Sequence, residues 1–176
     1  MVPRIRRNTK KIIRSTHELT GRDIGKKGTG KGPETEWIRY AEVEERDRLV
    51  KQKVNQLIES NLEPGEIVIV GVEEIPKNDS LAKGLSDLGV PITVFKDGDL
   101  GKYPFTMPGY ATPAQIKGIE AYCIIIDLGD FGVARLSEPS FYVAITRATG
   151  RLIMVIPREM AAEVGAIMND NIPLEL

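Results

Sequence analysis

Cysteine and histidine are nearly missing from this sequence: Cys123 and His17 are the only ones in 176 residues. Two such side chains build neither a disulfide framework nor a metal cage, and histidine acid–base chemistry has a single donor to draw on. Cys123 lies in the apolar run "AYCIIID" and reads as a small buried hydrophobe, while His17 sits on a basic helical stretch as a surface or capping residue. No run approaches the roughly 18 apolar residues of a membrane span. The N-terminal arginines have no apolar segment behind them, so the chain is expected to be soluble and cytoplasmic, without a membrane partner.

A phosphate loop is missing too. "GKKGTGKG" (25–32) comes within one residue of G-x-x-x-x-G-K-[ST], but Gly32 takes the place of the hydroxyl that would meet magnesium. A helical pattern precedes the stretch and a strand pattern follows it, the reverse of what a phosphate cradle needs. It therefore reads as a basic surface loop. "IIIDLGD" ends on Asp127 like a magnesium-holding strand, yet without a phosphate loop to share the metal Asp127 reads as an ordinary strand-end aspartate. No metal site is expected within the chain.

What is present is charge asymmetry and a clear alternation of elements. The net charge of -1 divides into +8 over residues 1–31 and -9 over the rest. A basic segment of this kind suits a polyanion or an acidic partner domain. The length and the 41% hydrophobic content suit one domain with one substantial core. "NTKKIIRSTHELTG" (8–21) has a helical period closing on Gly21; "TEWIRYAEV" (35–43) alternates as a strand; "VEERDRLVKQKVNQLIES" (43–60) is an amphipathic helix. The pattern continues with strands at "EIVIVGV", "PITVF", "AYCIIID" and "RLIMVIP", and helices at "SLAKGLSDLG", "EPSFYVAITRA" and "REMAAEVGAIM". About five core strands alternating with helices imply a mainly parallel sheet in a three-layer α/β/α sandwich.

Three separated stretches resemble motifs of superfamily 1 helicases of the UvrD/Rep type. "FYVAITRATGRLIMV" (141–155) is similar to their motif VI, a "YVAxTRA" helix leading into a strand. "TPAQIKGIEAYCIII" (112–126) resembles motif V, "TxHxxKGLExxxVxI", with Ala114 in place of the histidine; "VPRIRRNTKKI" (2–12) resembles motif IV, with Ile5-Arg6 in place of Asn-Tyr. The order is that of the family's second motor domain, 2A, and covers nearly the whole chain. The resemblance implies a single RecA-like, P-loop-NTPase-type domain over 1–176 that lacks its own phosphate loop. The short link between "PITVF" and "TPAQIKGIE" leaves no room for a 2B insertion.

By the same resemblance the chain is the C-terminal half of an ATP-dependent DNA helicase, inactive by itself. ATP with Mg²⁺ would bind only together with a 1A domain, on the same or a separate chain, and single-stranded DNA would be the other partner. Arg147 and Arg7 match the motif VI and motif IV arginines that reach the γ-phosphate. Lys117, Gly118 and Glu120 match the nucleotide-side residues of motif V, with Glu120 on the ribose, and Thr112 and Gln115 match its contacts to the single strand. The competing expectation is a degenerate, non-catalytic motor domain that holds nucleic acid or docks protein.

Overall fold

The computed structural model describes residues 8–22, 30–96 and 99–171. Arg7, the rest of 2–7 and most of "GKKGTGKG" lie outside the described residues, so the expectations placed on them have no structural counterpart below.

Six strands form one sheet: β1 (Glu36–Tyr40), β2 (Ile67–Val70), β3 (Thr93–Val94), β4 (Gly109–Ala111), β5 (Ala121–Asp127) and β6 (Ala148–Pro157). Their order is β1-β6-β5-β2-β4-β3 and every neighbouring pair is parallel. Among the described residues seven α-helices accompany them: α1 (Lys10–Thr20), α2 (Val43–Glu59), α3 (Leu81–Asp87), α4 (Pro113–Ile116), α5 (Leu128–Phe131), α6 (Pro139–Thr146) and α7 (Ala161–Asp170). No helix among the described residues is long and apolar enough to cross a membrane.

The continuous apolar runs of β2, β5 and β6 divide by parity, because successive side chains of a strand point to opposite faces. Val68, Val70, Ile124, Ile126, Leu152 and Met154 meet one helical layer, which includes Ile12 and Leu19 of α1 and Phe141 and Ile145 of α6. Ile67, Ile69, Cys123, Ile125, Ile153 and Val155 meet the other, with Val50, Val54 and Leu57 of α2 and Leu81 and Leu85 of α3. The result is the expected three-layer sandwich. Burial on both faces explains why these strands lack polar alternation.

The elements stop where their end residues act. Thr9 caps α1 by accepting from the Ile12 N–H, and Gly21 closes it in the left-handed region at φ 68° with its N–H on the His17 carbonyl. Ser80 caps α3 by accepting from the Lys83 N–H. Around α4, Thr112 and Gln115 bond reciprocally: the Thr112 hydroxyl accepts from the Gln115 N–H, and Gln115 Oε1 accepts from the Thr112 N–H.

Two sequence expectations need correction. The sheet has six strands rather than about five, because "GYA" forms β4 between β2 and β3 where Pro108-Gly109 reads as a join. Three residues suffice there since both neighbours supply the ladder. Also, β6 begins at Ala148, three residues before "RLIMVIP", and accommodates "ATG" through an irregularity in its pairing with β5 between Ala121 and Cys123.

Candidate functional site

Because all strands are parallel, the sheet has an amino edge, where strands begin, and a carboxyl edge, where they end. The motif residues fall on both.

At the amino edge, α6 ends on Arg147, which leads straight into β6. Lys117, Gly118 and Glu120 form the turn between α4 and β5, and Lys117, Gly118 and Glu120 are all exposed. β5 and β6 are paired neighbours, so the two segments meet: the Ala121 N–H donates to the Arg147 carbonyl at 3.0 Å. Arg147 Nη1 reaches the Lys117 carbonyl at 3.4 Å and its Nη2 reaches Thr146 Oγ1 at 3.4 Å. Both contacts are long for a guanidinium. Its Nε is buried and has no hydrogen-bond partner among the described residues. A planar fork so weakly satisfied retains donor capacity for an anion.

Asn8 joins this cluster from 138 and 140 residues away. Its Nδ2 donates to the Thr146 carbonyl at 2.8 Å and to the Ala148 carbonyl at 2.5 Å, straddling Arg147. The start of α1 is thereby tied to the α6–β6 turn. The residue after Arg7 is thus within hydrogen-bond reach of both neighbours of Arg147, a contact the sequence reading did not include.

Thr112 and Gln115 lie elsewhere. Ala111 is level with Val70, which is level with Ile126, so Thr112 sits at the carboxyl edge. Thr112 is 6% exposed, and both side chains are engaged in the α4 cap, with Gln115 Nε2 also donating to the Phe95 carbonyl at 3.2 Å. Seven strand residues separate this level from the turn before β5, roughly 20 Å at about 3.3 Å per residue. The structure therefore brings Lys117 against Arg147, with Gly118 and Glu120 in the same turn, while Thr112 sits at the carboxyl edge and Gln115 is held in the α4 cap between them.

The carboxyl edge also holds the strongest electrostatic feature of the described residues. Asp127, at the end of β5, accepts from the Tyr40 hydroxyl at 3.0 Å, from the Gly129 N–H at 2.9 Å and from Arg46 Nη1 at 2.9 Å. Arg46 also pairs with Asp47 at 2.7 Å, donates to the Asp79 carbonyl at 2.9 Å, and lies 5.8 Å from the Tyr40 ring centre. Arg46 and Asp127 are each 3% exposed. Burial pushes the Asp127 carboxyl up, against the pull of Arg46, the Gly129 N–H and the Tyr40 hydroxyl. Asp47 is likewise raised by burial, against Arg46. Tyr40 is raised by burial first and then by Asp127. The cluster floors a cleft of about 400 Å³ whose walls include Lys77, Ser80 and Glu159.

Asp127 is therefore no ordinary strand end but the centre of a buried ion cluster. The signal lay in α2: Arg46 and Asp47 occupy the same buried stripe as Val50, Val54 and Leu57, while Val43 is 38% exposed. A charge pair on an apolar stripe requires a buried partner.

No family model matches the sequence, and no curated protein matches it. Among solved structures, the chain is similar to the C-terminal domain of a possible DNA helicase from Lactobacillus plantarum, with a TM-score of 0.67 and 16% identity over 87% of this chain and 88% of that one. A more distant likeness is to the Escherichia coli DEAD-box protein SrmB, solved bound to regulator of ribonuclease activity A, with a TM-score of 0.47 and 13% identity over 81% of this chain and 85% of that one. The first of these likenesses shows a shared fold, an all-parallel sheet between two helical layers.

Proposed function

We propose that this chain is the second motor half of an ATP-driven DNA helicase or translocase of the UvrD/Rep kind, completing an ATP site whose phosphate loop belongs to a 1A domain. The observation that carries the reading is the amino-edge cluster. Arg147, whose Nη groups make only 3.4 Å contacts among the described residues, stands beside Lys117 and is flanked by the anchor of Asn8.

The residues present suit a nucleotide's phosphate and ribose. Arg147 offers a guanidinium with spare donors, Lys117 an exposed ammonium, and Glu120 an exposed carboxylate able to accept from a sugar hydroxyl. Gly118, exposed in the same turn, presents backbone without a side chain. Arg7, the motif IV match, belongs to the same proposal as a second arginine for the γ-phosphate. ATP with Mg²⁺ supplies the scissile phosphoanhydride and its charge neutralisation. The work of this chain is to hold positive charge where negative charge builds on the γ-phosphate, a contribution of roughly 10³–10⁵ in rate where arginine fingers operate.

Contacts of Thr112 and Gln115 to single-stranded DNA belong to the same proposal. The cap uses the Thr112 hydroxyl and Gln115 Oε1 as acceptors and the Phe95 carbonyl takes one Nε2 N–H, leaving one side-chain donor on each residue for a phosphate oxygen.

The test is Arg147→Ala in a motor that contains both halves. ATP hydrolysis should fall by about 10³ or more while nucleotide affinity changes little. Hydrolysis within threefold of the parent would remove the arginine-finger role and the reading built on it.

A further inference from the structure

The two ends of the sheet are finished differently. β3 is two residues long and follows Pro91, which suits an edge that must not pair further. At the other end β1 runs for five residues, Glu36–Tyr40, pairs only with β6 among the described residues, and has openings along both faces. One, of about 230 Å³, lies between Trp37, Arg39 and Ile156 of the sheet and Ala161, Val164 and Met168 of α7. The other, of about 330 Å³, lies between β1 and Leu49, Gln52 and Gln56 of α2. Arg39 is exposed and makes no hydrogen bond or ion pair among the described residues.

The sequence of this strand complements itself. Turned antiparallel about Ile38, "EWIRY" sets Trp37 opposite Arg39 of the second copy and Arg39 opposite its Trp37, with Ile38 opposite Ile38 and Glu36 opposite Tyr40. Trp37 and Arg39 share the α7 face, so each guanidinium meets an indole ring, the best of the aromatic partners for a cation. Ile38, on the α2 side, meets its own copy through an apolar contact. On the α7 side Gly165 leaves room, since a side chain there would meet nothing within 4 Å. A one-residue slip that set Trp37 against Ile38 and Arg39 against Glu36 would oppose residues of different faces, turning the second copy's helical layers over relative to the first.

We infer that β1 is a self-association edge, at which a second copy of this chain adds antiparallel to β1 and continues the sheet across a two-fold axis. Such an interface is isologous, each copy giving and receiving the same Trp37–Arg39 pair. An extended peptide could use the same ladder, but the Trp37–Arg39 exchange about Ile38 favours the second copy.

Sedimentation equilibrium of the whole chain tests this. A monomer–dimer equilibrium is expected, with a dissociation constant on the order of tens of micromolar for so short a strand interface. Arg39→Glu should weaken it roughly tenfold or more, since both cation–indole pairs are lost at once, and should leave the circular dichroism unchanged because Arg39 is exposed. Under mild oxidation Ile38→Cys should cross-link to its own copy, because directly opposed residues lie within disulfide reach. Ala41→Cys should not, its copy lying about six residues away, roughly 20 Å. Cys123, being fully buried, stays silent in both. A chain that stays monomeric to about 300 µM overturns the inference. So does a dimer that Arg39→Glu leaves intact, or one in which Ala41→Cys cross-links and Ile38→Cys does not.

Discussion

Arg46 is bracketed by two buried carboxylates, Asp47 and Asp127, so the cluster carries one more negative charge than positive when all three are ionised. This makes its proton balance unusual. Most carboxylates that stabilise a fold sit below their unfolded values, but burial places Asp127 above its ordinary value of 3.8. The folded chain then holds more protons than the unfolded chain in a window that starts near pH 3.8 and extends upward, and stability falls as pH rises through it. Asp127→Asn keeps an acceptor for Tyr40 and Gly129 but removes the titration. Urea melts should show the stability of the parent, relative to this variant, declining as pH rises above about 4; a difference that grows with pH would contradict the account. The motif residues could be named from the sequence because each belongs to a local pattern, whereas this cluster spans 87 residues between Tyr40 and Asp127 and has no local signature. Its only trace in the sequence was a charge pair on the apolar stripe of α2.

Between elements, α2 and α3 approach each other through Gly84. A Cβ at that position would strike the Asp47 carboxylate, which Arg46 holds in place. Gly84→Ala would favour an isolated helix by about 1 kcal/mol, but here it forces apart two packed helices. A net loss of roughly 1–3 kcal/mol is expected by thermal or urea unfolding. If the variant proved more stable than the parent, the α2–α3 contact would be looser than described. Helices and long strands were readable because period and parity recur over many residues: α1 ends at the expected Gly21, and β2 and β5 match their apolar runs. β4 was not, because three residues hold no period and its strand character comes from β2 and β3 on either side. The placing of Thr112 and Ala121 at opposite edges of the sheet was hidden for a related reason. Proximity in sequence says nothing about which edge of a sheet each end of a connection reaches.

For the molecule as a whole, an ATP site supplied from one side only should not turn over. Under the proposed function, the purified chain is expected to release no phosphate from ATP above the buffer rate, with or without single-stranded DNA. Turnover that disappears in Lys31→Ala would instead return catalysis to the glycine-rich loop. The interior offers a different kind of measurement. Cys123 sits at 0% exposure in β5, between β2 and β6, with its thiol pushed up to about 12 by burial. No fraying of an end or a loop uncovers it; only parting of the central strands does. At neutral pH a thiol reagent should therefore label the native chain at a rate set by the opening of the core itself, single exponential and steeply accelerated by denaturant. The lone cysteine is in effect a stopwatch for the whole fold, and any ligand or copy that binds the native state should slow it about tenfold for each ~1.4 kcal/mol of stability it adds.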